Sequence, residues 1–314
     1  VIVAFVLYLL MMIAIGAFYA KGNNNSEDYF LGGRKLNGFV AALSAQASDM
    51  SGWLLMGLPG AIYLTGVGGD GWIAIGLFIG TTLNWLFIAT KLRRYTIRAN
   101  NSVTLPTYFE NRFHDEKKVL MTVSSITIVV FFLVYCASAL SAGGQLFESV
   151  FGIDYHVALT IGALVVLVYT FLGGFTAVCV TDFIQGMLML VGILAVPLFA
   201  YHFLTTGGTT LSAGLEASGA DSANFLNLMK NGDGSNNIIS VISGLGWGLG
   251  YFGMPHILVR FMAVRDEKEM TKSKATAISW VALSLGFAVF IGILGRAYLP
   301  ELVNGNNGTV SYTH

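Results

Sequence analysis

Eight long apolar runs constrain what this chain can fold into. Each has about 20 residues or more, the length at which an α-helix crosses the hydrocarbon core of a bilayer. The runs are Val1 to Ala20, Gly38 to Thr65, Gly71 to Thr90, Val119 to Leu146, Val157 to Val180, Phe183 to Leu204, Ile238 to Val259 and Ala275 to Gly295. With 55% hydrophobic and 11% charged residues, the chain has more apolar surface than a soluble core of 314 residues would bury. We therefore predict an all-α membrane protein with about eight transmembrane helices.

The distribution of basic residues predicts the orientation of these spans. Fifteen of the seventeen lysines and arginines lie in alternate connections, and only Lys230 and Arg296 lie on the other side. Because these residues concentrate on the cytoplasmic side of a membrane, the basic connections are predicted to be inside and the amino terminus outside. The formal net charge is zero and gives no reason to expect a nucleic-acid partner.

The second apolar run carries polar residues at its middle. Leu43 to Pro59 contains Gln46, Asp49, three serines and Gly52. An acidic residue near the bilayer centre costs about 2.5 to 3.5 kcal/mol on insertion scales, and such residues usually face a cavity or a partner. We expect the helix to be interrupted here to hold a ligand. The alternative is that Asp49 is a structural carboxylate, satisfied by serine hydroxyls and backbone amides.

The seventh run combines glycines, aromatic residues and a proline. Its sequence SGLGWGLGYFGMPHILVRF places five glycines around Trp247 and Tyr251, followed by Pro255. One interpretation is close helix packing, since Gly244 and Gly248 have GxxxG spacing. The other is an unwound segment that lines a cavity, the setting in which irregular backbone is tolerated at membrane depth. Aromatic residues next to a glycine and proline break favour the second interpretation.

The two predicted interruptions are five spans apart, near Ala47 to Gly52 and near Gly246 to Gly253. Transporters built from inverted five-helix repeats begin each half with a broken helix. We therefore predict a single membrane domain over residues 1–314. Its predicted parts are an accessory helix with an inner loop (1–37), a first repeat (38–204), an outer loop (205–237) and the incomplete start of a second repeat (238–314).

Enzyme motifs are absent from the sequence. It contains no HExxH, GxSxG or P-loop, and no His/Asp/Glu cluster with metal-ligand spacing, so we predict that the chain is not an enzyme. The GxGxxG of residues 66–71 joins two predicted spans without a preceding strand, and we interpret it as a turn. Cys136 and Cys179 are predicted to pack in apolar surroundings. His256 is predicted to pack or to line a pore, with a proton relay as the alternative.

Four stretches resemble the sodium/solute symporter family. They are SAQASDMSGWLLMGLPGAIY, NSVTLPTYFENRF, GGFTAVCVTDFIQGMLM and GWGLGYFGMPHILVRFMAVR, and the resemblance extends over essentially the whole chain. It implies a truncated fold of the leucine-transporter type in the bacterial inner membrane. It also implies uptake of L-proline driven by sodium. Another small solute such as pantothenate is the alternative substrate, and a channel or sensor of the same fold is the alternative activity.

The resemblance also implies where sodium binds. Backbone carbonyls of Ala47 and Met50 would hold the ion, and Asp49 and Ser51 beside them would be needed for coupling. Sodium is a hard cation that needs several oxygen ligands, and an unwound backbone supplies carbonyls. The remaining ligands would be hydroxyls of a helix that follows His314. Sodium is then a co-substrate, and no cofactor is implied.

The resemblance further implies which residues bind the solute. The solute-binding residues would be Tyr135, Trp247, Tyr251 and Pro255. Aromatic rings give an apolar wall for a small imino acid, and amides at half-helix amino termini give donors for its carboxylate. Asp182 and Gln185 belong to a family motif at the inner end of a core helix. We expect them to have a conformational role.

Overall fold

Helices account for most of the residues that the structure describes. The computed structural model describes residues 2–22 and 24–299. Its α-helices are α1 (Ile2–Ala20), α2 (Ser26–Leu31), α3 (Gly38–Gly52), α4 (Leu58–Thr65), α5 (Val67–Leu83), α6 (Thr90–Arg98), α7 (Leu105–Phe113), α8 (Val119–Phe151), α9 (Tyr155–Thr206), α10 (Leu211–Ala217), α11 (Ser222–Phe225), α12 (Ile238–Trp247), α13 (Pro255–Ala263) and α14 (Glu267–Tyr298). Two 3-10 helical segments (Gly32–Arg34 and Gly248–Gly253) and two π-helical segments (Trp53–Gly57 and Asn84–Ala89) join some of these helices.

Five helical stretches in the described ranges are long and apolar enough to cross a bilayer. They are Val3–Ala20, Val67–Arg98, Val119–Phe151, Tyr155–Thr206 and Glu267–Tyr298. The count is six if the broken pair Ile238–Gly253 and Pro255–Ala263 forms one span. The predicted all-α membrane protein is therefore confirmed, whereas the predicted count of eight spans is not.

Two features of the helices explain the lower count. The second predicted span is divided between α3 and α4, which have 15 and 8 residues and are each shorter than a bilayer requires. The fifth and sixth predicted spans both lie within α9, which has 52 residues. At 1.5 Å per residue this helix has a contour length of about 78 Å, more than twice the hydrocarbon thickness of about 30 Å.

Helix α9 is interrupted at a different residue from the one predicted. The sequence interpretation ended one span at Val180 and began the next at Phe183. In the structure the backbone leaves helical geometry at Gly174, with φ 60° and ψ −159°. Glycine tolerates this left-handed conformation because it has no Cβ. Asp182, which falls between those two predicted spans, lies within the continuous part of the helix, and its carboxylate has buried partners within the protein.

The break predicted between Ala47 and Gly52 occurs at Ser51. This residue has φ 43° and ψ −159°, and the π-helical segment Trp53–Gly57 follows it. Pro59 lies in the first turn of α4, where its missing N–H removes no intrahelical hydrogen bond. A positive φ at a residue other than glycine stores strain of about 1–3 kcal/mol, and such strain clusters at functional sites.

The seventh predicted span is also broken. Helix α12 ends at Trp247, the 3-10 segment Gly248–Gly253 follows, and Met254 has extended geometry with φ −74° and ψ 108°. Pro255 then begins α13, a position that suits its fixed φ and missing N–H. The interpretation of this stretch as an unwound segment agrees with the structure.

The glycines of the same stretch also pack closely against another helix. A Cβ added to Gly76 would collide with the carbonyl oxygen of Gly244, and one added to Gly80 would collide with that of Gly248. Small residues therefore let α5 approach α12 at backbone distance. The structure thus shows close packing at Gly244 and Gly248 and irregular backbone after Trp247, whereas the expectation that this irregular segment lines a cavity remains a prediction.

The helices form two compact units. Unit one contains the described residues of Val1–Asp49, Leu86–Gly186 and Met254–Thr276. Unit two contains those of Met50–Trp85, Met187–Gly253 and Ala277–His314. Two of the divisions fall at the breaks, between Asp49 and Met50 and between Gly253 and Met254. The predicted repeat boundaries remain a prediction, and residues 300–314 of the last segment lie outside the described residues.

In unit one, α13 is held by the polar segment before α3. The buried guanidinium of Arg34 donates hydrogen bonds to the carbonyl oxygens of Met262 (2.8 Å) and Ser102 (2.9 Å). Burial lowers the pKa of Arg34, and the Glu27 carboxylate 3.3 Å away opposes that shift. Because Met262 belongs to α13, this network fixes the end of the helix that carries His256.

Candidate functional site

The last turn of α3 places polar atoms in an apolar interior. The side chain of Asp49 is only 5% exposed, and Gln46 is buried as well. Oδ2 of Asp49 and Oε1 of Gln46 have no hydrogen-bond partner within the described ranges. An unpaired buried polar atom costs about 1–3 kcal/mol. Oδ2 therefore does not have the serine or amide partner that a purely structural role of Asp49 would provide.

His256, on α13, faces the same carboxylate. Its Nε2 lies 3.7 Å from Oδ1 of Asp49, a distance too long for a hydrogen bond. Neither ring nitrogen has a hydrogen-bond partner in the described part of the chain. The imidazole stacks on Tyr135, with centroids 5.7 Å apart and an interplanar angle of 23°, and meets Phe132 edge-on at 5.4 Å. The aromatic contacts fix the ring while its polar atoms remain available.

Tyr135, a predicted solute-binding residue, reaches the backbone at the break. Its hydroxyl donates to the carbonyl oxygen of Ser48 at 3.1 Å and approaches that of Asp49 at 3.5 Å. The last four carbonyls of a helix have no intrahelical partner, so a hydroxyl at this position satisfies part of the helix end. In chain order, Ala47 and Met50 flank the two residues whose carbonyls Tyr135 contacts.

A buried ionic cluster lies behind the same turn of α3. Asp182 accepts hydrogen bonds at Oδ2 from Ser44 (2.7 Å), Ser48 (3.0 Å) and Arg260 (2.9 Å). The side chains of Arg260 and Asp182 are 7% and 11% exposed. Sequence reasoning assigned Asp182 a conformational role but placed Arg260 in a basic loop after the seventh span. That placement was wrong, because Arg260 lies within α13 and is paired in the interior.

Gln185 lies one turn after Asp182 on α9. Its Nε2 donates to the hydroxyl of Tyr8 on α1 at 2.6 Å. Helix α9 packs against α3 at the next residue, where a Cβ added to Gly186 would lie at the ordinary contact distance of 3.4 Å from the Leu43 carbonyl oxygen. Asp182 and Gln185 of the TDFIQ motif thus connect α9 to different helices of unit one.

Unit two contains the predicted solute-binding residues Trp247 and Tyr251. The indole of Trp247 stacks on Trp53, with centroids 5.7 Å apart and an interplanar angle of 24°, and remains half exposed. Tyr251 is buried, and its carbonyl oxygen accepts a hydrogen bond from Nδ2 of Asn84 at 2.8 Å. The 3-10 segment is therefore anchored to the residues that follow α5.

The sequence signals differ in strength among these residues. Asp49 was found because a carboxylate in an apolar run is unusual. The same reasoning could have marked Asp182 and Arg260 as charges at or near predicted spans, but it could not have shown that they pair with each other. The sequence did not single out Ser44 and Ser48 as members of an ionic cluster, because hydroxyls occur in many membrane helices.

The fold and the two broken helices define the class of this protein. Multi-pass helical membrane proteins in which broken helices expose backbone groups near buried polar side chains have the architecture of secondary transporters. The chain belongs to the sodium:solute symporter family, because the sequence model of that family matches residues 29–310. The family predicted from the four sequence stretches is therefore confirmed, and it is a family of symporters, not of enzymes.

Curated relatives cover nearly the whole chain. It is 45% identical over 309 residues to the sodium/proline symporter of Salmonella typhimurium strain LT2, covering 98% of this chain and 60% of the relative. This chain is 44% identical to the sodium/proline symporter of Escherichia coli strain K12 over 300 residues, which are 96% of this chain and 58% of the relative. The sodium/proline symporter of Staphylococcus aureus strain JH9 is 44% identical to this chain over 294 residues, which are 93% of this chain and 56% of the relative. The chain thus spans less than two thirds of the length of these relatives.

A solved structure shares the fold. A Na+-coupled sialic acid symporter in a substrate-bound outward-open state superposes with a TM-score of 0.76 at 21% sequence identity. The match covers 93% of this chain and 60% of that one. This similarity confirms the predicted all-α fold of the leucine-transporter type.

Proposed function

We propose that this chain is part of a symporter that couples inward sodium flux to the uptake of L-proline by alternating access. The observation that carries the proposal is the break of α3 at Ser51, next to a buried carboxylate with an unpaired oxygen. Relatives at 44–45% identity named sodium/proline symporters support the choice of ion and solute.

The proposed sodium ligands are the backbone carbonyls of Ala47 and Met50. Asp49 and Ser51 are proposed to couple sodium binding to solute binding. The unpaired Oδ2 of Asp49 supports this role, because an ionised carboxylate in an apolar interior gains most from a nearby cation. Sodium acts as a co-substrate, and we propose no cofactor.

The proposed solute-binding residues are Tyr135, Trp247, Tyr251 and Pro255. A half-exposed indole stacked on a second indole supports the role of Trp247, since it offers a rigid apolar surface to a pyrrolidine ring. Pro255 would shape the amino-terminal end of α13, whose first N–H groups favour a carboxylate. Asp182 and Gln185 are proposed to serve conformational roles through their contacts to α3 and α1.

The proposed location is the bacterial inner membrane, with the amino terminus outside. The alternation of basic connections supports this orientation. An inward-moving charge gains about 2.3 kcal/mol per 100 mV of membrane potential, which is available to accumulate a solute that carries no net charge. Single-domain organisation with a first repeat at 38–204 remains part of the proposal.

The test is proline uptake by the purified protein in proteoliposomes. We expect radiolabelled proline to accumulate when an inward sodium gradient is imposed, and not when potassium replaces sodium. Equal uptake on a proton gradient without sodium would overturn the coupling. A panel of unlabelled solutes that includes pantothenate identifies the substrate, because only the true substrate competes at low concentration.

The same vesicles separate a symporter from a channel or a sensor. A symporter gives saturable solute flux with a fixed ratio of sodium to solute. Solute-independent sodium conductance would identify a channel, and solute binding without any flux would identify a sensor. Either result would replace the proposed function.

A further inference from the structure

Arg260 is the positively charged member of the buried cluster in unit one, and the sequence analysis placed it in a loop. The inference drawn for it rests on the proposed function, which gives a sodium site at the break of α3. We propose that Arg260 is a positioning residue: it holds the last turn of α3 in place and thereby sets the affinity of that sodium site. None of the four groups to which it donates is a proposed sodium ligand.

All three guanidinium nitrogens of Arg260 are engaged. Nε donates to Ser44 Oγ at 3.0 Å, and Nη2 donates to Ser48 Oγ at 2.8 Å and to Asp182 at 2.9 Å. Nη1 donates to the carbonyl oxygen of His256, one turn earlier on α13, at 2.7 Å. The planar guanidinium has several donors in fixed positions, so it connects α13 to α3 and α9 in a way that a single ammonium group could not.

The charges of this cluster balance internally. The positive guanidinium and the negative carboxylate of Asp182 are 2.9 Å apart and nearly inaccessible to water. A buried pair of this kind adds little net stability, because desolvation of both charges offsets their attraction. Its effect is geometric, since any departure from the paired arrangement leaves a charge uncompensated in the interior.

The cluster acts on the residues that precede the break. Ser44 and Ser48 are four residues apart and lie on one face of α3, which is the face bound by Arg260. On the backbone, the carbonyl of Ser48 is held by the hydroxyl of Tyr135. The Ala47 carbonyl belongs to the planar peptide bond between Ala47 and Ser48, so displacement of Ser48 together with its backbone would move the carbonyl that is proposed to bind sodium.

Arg260 also contacts the interruption of α9. Its guanidinium carbon lies 5.4 Å from the ring centroid of Phe175, the residue after the break at Gly174. The positive guanidinium is attracted to the electron-rich face of the ring. Arg260 therefore links the interrupted region of α9 to the last turn of α3.

The first experiment measures sodium affinity by proline uptake in proteoliposomes. Arg260→Lys keeps a positive partner for Asp182 but loses the fork, and Ser48→Ala keeps the ion pair but removes one of the two α3 hydroxyls that bind Arg260. We expect both to raise the sodium concentration for half-maximal uptake, by about tenfold for Arg260→Lys, with maximal uptake within about twofold of wild type. Ser284→Ala is the matched control, since this buried serine has, among the described residues, a hydrogen bond only to Val281 of its own helix.

The second experiment measures how strongly the backbone amides in the last turn of α3 are protected, and it does not use transport. Hydrogen–deuterium exchange of a peptide over residues 44–52 should be faster in Arg260→Lys and Ser48→Ala than in wild type, and unchanged in Ser284→Ala. If Arg260→Lys does not fold, the charge-neutral double variant Asp182→Asn with Arg260→Gln replaces it, because it leaves no unpaired buried charge.

The outcomes distinguish this inference from the proposed function. Wild-type sodium affinity together with wild-type exchange in folded Arg260→Lys and Ser48→Ala would overturn the positioning role. Lower maximal uptake with unchanged sodium affinity would also overturn it. If wild-type uptake does not depend on sodium, the proposed function fails, and the exchange data alone decide whether Arg260 holds the turn.

Discussion

Nε2 of His256 lies 3.7 Å from Oδ1 of Asp49, and both side chains keep polar atoms without a hydrogen-bond partner within the described ranges. The two groups belong to α13 and α3, each next to a break in the helical backbone. Unpaired polar atoms are expensive in an apolar interior unless a ligand, an ion or water satisfies them. Their position therefore agrees with the proposed site, in which sodium and solute would satisfy these atoms.

The first prediction concerns the charge of Asp49. Asp49→Asn keeps the shape of the side chain but removes its negative charge, so sodium loses a nearby opposite charge in a poorly solvated site. We expect the sodium concentration for half-maximal proline uptake to rise about tenfold or more. Asp233→Asn, in an exposed loop, is the control and should behave like wild type. Unchanged sodium affinity in Asp49→Asn would favour the structural role.

The second prediction separates the backbone of Ser51 from its hydroxyl. Ser51→Gly and Ser51→Ala both remove the hydroxyl, but only glycine adopts φ 43° without strain. We expect Ser51→Gly to be more stable than Ser51→Ala by about 1 kcal/mol, measured by thermal unfolding in detergent. If the hydroxyl is needed for coupling, both variants lose sodium affinity to the same extent. If Ser51→Ala loses more stability and also more sodium affinity than Ser51→Gly, the effect belongs to the backbone conformation at this residue.

The third prediction tests the close contact of α5 and α12. Gly76→Ala places a methyl group against the Gly244 carbonyl oxygen, and the backbone must move to admit it. We expect a loss of about 1–3 kcal/mol of stability, seen as a lower midpoint of thermal unfolding. Gly162→Ala is the control, because a Cβ there meets no atom within 4 Å. Equal midpoints for the two variants would show that the helices separate easily.

The break in α3 was predictable from sequence, whereas the break in α9 was not. A carboxylate and several serines in an apolar run mark the first one. The second falls in a Gly-Gly pair within apolar sequence, which also occurs in continuous membrane helices. Asp182 gave a misleading signal, since a polar residue near the end of an apolar run usually indicates a turn. Its partner Arg260 is 78 residues away in sequence, and only the tertiary structure brings them together.

The roles of the aromatic residues were predictable only in part. The resemblance indicated Tyr135 as a solute-binding residue, but its contact with the Ser48 carbonyl depends on how α8 packs against α3. The stacking of Trp247 on Trp53 likewise requires the geometry of the broken segment. The local sequence predicts that a helix is broken, whereas the residues that pack around the break come from distant parts of the chain.

The last prediction concerns the orientation of the protein in the membrane. Most basic residues lie in alternate connections, and the burial of Arg260 removes one of them without changing the pattern. In a variant without Cys136 and Cys179, single cysteines are introduced as Ser212→Cys and Glu116→Cys, both at exposed positions. We expect a membrane-impermeant maleimide to label Ser212→Cys in intact cells, and Glu116→Cys only after permeabilisation. The cysteine-free protein is the negative control. The reverse pattern would invert the proposed orientation, and labelling of both positions in intact cells would place the two loops on one side and contradict the alternation of basic connections.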